Sequence, residues 1–164
     1  MNGALVFWKT AHILSASILL GTGLGIAFFC WFSYRSALRS GEIAVLRSAL
    51  RWTVVADACF TAPAVVFQAV SGLVLMNLMG WPLTSPWSVA VWTLFVLTGA
   101  CWLPVVVIQV QLSRESERTP SVASLPARFH QRFRLWFLLG IPAFTAIILI
   151  YYFMIAKPLA IAGA

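Results

Sequence analysis

A chain of 164 residues that is 62% hydrophobic and 9% charged, with a mean hydropathy of +0.94, has too few polar side chains to clothe a soluble domain. Its net charge of +7 comes from arginines that flank apolar runs. That pattern speaks for the lipid bilayer as partner and against nucleic acid, which needs a folded basic reading head.

Four runs exceed the ~18 apolar residues that a membrane-crossing helix needs, at about 5–33, 52–79, 88–113 and 135–156. The expected fold is all-α: residues 1–164 as a single domain, an integral membrane bundle of four transmembrane helices. The first run carries Lys9 and His12 one turn apart near its start, so both fall on one face at membrane depth, where polar groups are expensive and usually functional. Farther along, Gly21 and Gly25 have the spacing of a close helix contact. Ser36–Leu50, with Leu38, Ile43, Leu46 and Leu50 among charged residues, reads as an interfacial helix or as a cytoplasmic extension of helix 2 after Gly41.

Helix 2 places Asp57, Thr61, Ala64, Gln68 and Ser71 at spacings of three and four, one polar or small stripe that should face the bundle interior. Asp57 is expected to pair with an arginine such as Arg51 or Arg35, or else to hold its proton; its roles are a helix-packing ion pair or, with Gln109 of helix 3, a proton relay. Pro63, Pro104 and Pro142 sit near the middles of helices 2, 3 and 4, where each removes a backbone donor and opens room for water or a ligand. Trp102, two residues before Pro104, should pack inside the bundle or line a cavity. Trp8, Trp52, Trp81, Trp87 and Trp136 lie near the expected interfaces, as in an aromatic belt. Cys30, Cys59 and Cys101 have no metal-binding spacing and read as small packing residues. After the loop Thr119–Pro126, the sequence Arg128-Phe129-His130-Gln131-Arg132-Phe133-Arg134 reads as a basic, aromatic lead-in resting on headgroups.

Orientation follows from the arginines. Arg35, Arg39, Arg47 and Arg51 lie between helices 1 and 2, and Arg114, Arg118, Arg128, Arg132 and Arg134 between helices 3 and 4; only Lys9 and Lys157 balance them at the other end. The positive-inside rule puts both termini outside. Reporter fusions at Ser40 and Ser121 should therefore report cytoplasm and a fusion at Ala164 the outside; a cytoplasmic C-terminus would reverse every depth assignment.

With that orientation His12, Gln68 and Lys157 belong to the outer half of the membrane, and Asp57 and Gln109 to the cytoplasmic side. His12 is a packing histidine, a haem ligand or a metal ligand. As a ligand of haem b it would have Lys9 and Lys157 near the propionates and Gln68 or Trp102 lining the pocket, with His130 on the wrong side to serve as the second axial ligand. With Met76, Met79 and Met154 near the same membrane face it forms a soft donor set suited to Cu(I). Haem b binding with redox chemistry is the leading reading; copper binding or passage and an accessory subunit without cofactor are its alternatives. A membrane redox partner or a second copy of the chain is the protein partner they would need.

The segments Trp8 to Ser15, Ala56-Asp57 ahead of Phe60-Thr61-Ala62-Pro63, Gln68 with Ser71-Gly72, Cys101 to Val106, and Leu139 to Phe144 leading to Ala156-Lys157-Pro158 resemble the bacterial integral membrane family called domain of unknown function 2269. The likeness runs through all four helices. It implies a multi-pass protein of the bacterial inner membrane and no assigned activity. The Lys-x-x-His opening and closing Lys157-Pro158 are also similar to the ends of HemJ-type protoporphyrinogen oxidases and CopD-like copper-resistance proteins. The first likeness would make His12 an axial haem ligand, although the chain lacks that pattern's second intramembrane histidine.

Overall fold

A computed structural model describes residues 3–157. It contains four helices long and apolar enough to cross a membrane: α1 (Gly3–Ser40), α2 (Ile43–Leu78), α3 (Pro86–Arg118) and α4 (Ala127–Ala156). Each packs on its neighbours in sequence, and α1 also meets α4. With 38 residues, α1 is about 57 Å long and overshoots a ~30 Å hydrocarbon layer.

Local chemistry ends each helix where it must. Gly41 adopts φ 78°, open to glycine without strain, and its N–H reaches the Ala37 carbonyl at 2.9 Å to close α1. The charged residues after it do not lie flat on the surface; Ile43–Ala56 runs on as the first half of α2. Ser85 caps α3 by accepting the Ser88 N–H at 3.2 Å, and Pro86 occupies the first turn, where no donor is missed. Between α3 and α4, Arg47 donates to the carbonyls of Ser116 and Thr119 at 3.3 and 3.1 Å, satisfying groups that the end of α3 leaves open.

The best-packed core lies at the arginine-rich end, where Cys30, Leu46, Leu50, Leu112, Phe129 and Phe133 are fully enclosed. This corrects three expectations. α4 begins at Ala127, about two turns before residue 135, and Phe129 and Phe133 are core side chains, not headgroup anchors; Tyr34 stacks on Phe133 with ring centroids 4.0 Å apart. The arginines between them lie on the other side, where Arg128 and Arg132 bind Glu115 at 2.7 and 3.2 Å. Trp87 and Trp136 leave the belt for the interior, and Cys59 faces outward instead of packing.

The glycines of α1 also sort differently. Gly21 and Gly25 are exposed and a Cβ there would meet nothing within 4 Å, whereas one at Gly23 would stand 3.0 Å from the Phe144 ring. Gly23→Ala should therefore lower stability by about 1 kcal/mol while Gly25→Ala stays neutral or gains a few tenths from helix propensity. Thermal unfolding in mild detergent checks this; a larger loss at Gly25 than at Gly23 would show that another chain covers that face.

Candidate functional site

Helix 2 carries the polar groups of the interior. Pro63 has no N–H for the Cys59 carbonyl, and the turn before it opens into a π-turn over Asp57–Thr61, with the Ala62 N–H reaching back five residues to the Asp57 carbonyl. The wider turn points Asp57 and Thr61 inward and Ala58, Cys59 and Phe60 outward. Ala64, Gln68 and Ser71 continue the inward stripe, all buried. From Asp57 to Gln68 the helix rises about 16 Å, so the polar groups form two layers.

The layer nearer the termini centres on His12. Its Nδ1 is 2.6 Å from Ser71 Oγ, and Ser71 Oγ is also 2.6 Å from the Phe67 carbonyl. A carbonyl can only accept, so the single serine proton goes to Phe67 and Ser71 must accept from His12 Nδ1–H. That assignment leaves Nε2 as the bare nitrogen. Gln68 donates to the His12 carbonyl at 2.7 Å and fixes the segment further. His12 lines a cavity of about 110 Å³ together with Gln68, Met76, Met79, Met154 and Trp87. Trp87 Nε1 donates to the Phe153 carbonyl at 2.7 Å, which holds the last turn of α4 and with it Met154 against the cavity.

Lys9 is exposed and lines neither this cavity nor the larger one beside it. Lys157, left-handed at φ 42° at the end of α4, holds its Nζ 4.7 Å from the centroid of the Trp81 ring, a cation–π contact. His130 bonds to Tyr34 Oη at 2.6 Å, and Tyr34 is about 33 Å along α1 from His12.

The second layer centres on Asp57, and no arginine serves it. Trp102 Nε1 donates to Oδ1 at 3.3 Å and Gln109 Nε2 to Oδ2 at 2.7 Å. Trp136 Nε1 donates to Gln109 Oε1 at 3.3 Å; because an indole N–H can only donate, it turns the amide so that its NH₂ faces Asp57. Trp102 therefore belongs with Asp57, not in the His12 cavity. Sequence reasoning missed Trp136 altogether, since its position near a helix end is also that of a belt residue. The expected ion pair of Asp57 with Arg51 or Arg35 is absent: among the described residues the ion pairs are those of Glu115 with Arg128 and Arg132. Asp57, Thr61, Gln68, Trp102, Gln109 and Trp136 all border a larger cavity of about 440 Å³ along the bundle axis. Gln68 stands in the wall common to both cavities.

Among the described residues no group of three or more His, Cys, Asp or Glu side chains is placed to hold a metal ion, so any metal at His12 depends on the thioethers. No curated protein and no solved structure matches the chain. A family model does, over residues 6–158, and the chain belongs to the family described as predicted integral membrane protein (DUF2269).

Proposed function

We propose that this membrane protein binds Cu(I) at the cavity near its termini, with His12 Nε2 as the nitrogen ligand and the thioethers of Met76, Met79 and Met154 as the sulfur donors. The observation that carries the reading is that one imidazole and three methionines, from α1, α2, the turn after α2 and α4, line a single cavity of about 110 Å³. Thioether sulfur is soft and selects Cu(I) over hard divalent ions. Ser71 gives the imidazole the tautomer a metal needs, the usual task of a group behind a ligating histidine. If the termini lie outside, as the arginine distribution suggests, the site would stand at the outer face of a bacterial cytoplasmic membrane.

Haem b is served less well by the same residues. The cavity that His12 faces is far below the ~300 Å³ at which pockets for larger organic ligands begin, and neither Lys9 nor Lys157 borders it. An accessory subunit without cofactor gives no reason for three methionines and a histidine to border one cavity.

Anaerobic titration of the purified protein in mild detergent, with bicinchoninate as competitor for Cu(I), tests the proposal. One Cu(I) per chain should be retained, with X-ray absorption showing nitrogen and sulfur scatterers together. Failure to compete for Cu(I), or a Soret band with one haem per chain after haem supplementation, would overturn it.

A further inference from the structure

The 440 Å³ cavity is separate from the His12 site, and the copper reading makes no use of it. Its walls are almost wholly apolar, yet Asp57 is set into them with every protein partner acting as a donor: the Trp102 indole and the Gln109 amide. Two donors occupy two of the roughly four acceptor positions that a carboxylate offers. Neither brings positive charge. A carboxyl group at membrane depth without a cation beside it is expensive to ionise, and such groups mark ligand or ion pathways.

A second unmet polar group lies in the same wall. Thr61, one turn farther along α2, is 5% exposed, borders the cavity, and its Oγ1 is buried with no hydrogen-bond partner. A buried hydroxyl left unmatched costs about 1–3 kcal/mol unless something else meets it. Asp57 and Thr61 are held on one wall by the π-turn, the Thr61 hydroxyl sealed just behind the surface of the void that Asp57 borders. Phe95, Trp102 and Phe137 border the same void, and aromatic faces attract cations.

The way in is lateral. Leu24 of α1 and Ile141 and Ile148 of α4 border the cavity and are 60%, 54% and 60% exposed, so its α1/α4 side faces lipid. A ligand arriving by that route must be mostly hydrocarbon. We propose that this cavity binds a protonated amine carried on a compact apolar body, its ammonium hydrogen-bonded to Asp57 and its hydrocarbon against the apolar walls.

The test uses a matched pair of probes, 1-adamantylamine and 1-adamantanol, titrated into the full chain in nanodiscs of phosphatidylcholine and phosphatidylglycerol. The bodies are the same shape and only the amine is a cation. The amine should bind at least tenfold more tightly than the alcohol, and Asp57→Asn should erase that preference. Because Asp57→Asn disturbs the network around it, Gly99→Leu provides an independent arm. Gly99 borders the cavity and a Cβ there meets nothing within 4 Å, so a larger side chain starts into open space at the cavity wall. It should abolish binding of the amine while Cu(I) uptake at the other cavity is unchanged. Equal affinity for amine and alcohol, or undiminished amine binding by Gly99→Leu, would overturn the proposal. A weaker apparent affinity for the amine when phosphatidylethanolamine is added would support it and identify a lipid ammonium as the source of the cation.

Discussion

Asp57→Leu is expected to lower the unfolding free energy by about 3–5 kcal/mol, through two donors left facing hydrocarbon. Trp102 Nε1 and Gln109 Nε2 both lose their acceptor, and the released Gln109 amide no longer stands firmly against Trp136 Nε1. Asp57→Asn should be damaging as well, by about 1–3 kcal/mol, because its NH₂ must be turned toward one of two groups that can only donate to it. A side chain that merely needed a hydrogen bond would accept asparagine without loss. Cys59→Leu is the control, two residues away on the same turn but exposed, and should change stability by less than about 0.5 kcal/mol. Unfolding followed by circular dichroism in mixed micelles gives all three values. An Asp57→Leu protein as stable as the wild type would show that water, not the indole and amide, satisfies the carboxylate.

The spans themselves are legible in the sequence because a bilayer sets a length and an apolarity that only these runs meet. Legibility fails where a helix leaves the bilayer. Arg128, Arg132 and Arg134 lower the hydropathy ahead of residue 135, yet Phe129 and Phe133, four apart, form the inward stripe of a helix that continues toward the arginine-rich end. The inward face of α2 was readable from spacing alone, since Asp57, Thr61, Gln68 and Ser71 gain nothing by facing lipid. Their partners were not. His12 meets Ser71 across 59 residues of sequence, and Asp57 meets Gln109 across 52; no local periodicity encodes such a pairing. Grouping Lys9 with His12 failed for a related reason: neighbours on one helix face can still divide between a cavity and the outer surface, and the packing of α2 against α1 decides which. Gly21 and Gly25 show the same limit, because a small-residue spacing signals that a close approach is allowed, not that one occurs within the chain.

The histidine site makes the sharpest demand on variants. His12→Ala removes the one nitrogen donor of the cavity and should weaken Cu(I) binding at least 100-fold. Ser71→Ala leaves every proposed ligand in place. It frees the ring to rotate and removes the acceptor that holds the proton on Nδ1, so affinity should fall about 10- to 100-fold. Met76→Leu fills the same volume without a sulfur and should cost less than either, because two thioethers remain. The order His12, then Ser71, then Met76 is what separates a metal site from ordinary packing. Packing predicts the losses to follow side-chain volume and to appear in thermal stability, whereas ligation predicts that Cu(I) affinity changes while the apo protein unfolds at nearly the wild-type temperature. Competition titrations on the three variants, each paired with a melting curve of the apo form, measure both quantities. If His12→Ala, Ser71→Ala and Met76→Leu all bind Cu(I) as tightly as the wild type, none of the three has a part in ligation, and His12 is a packing residue whose hydrogen bond ties α1 to α2.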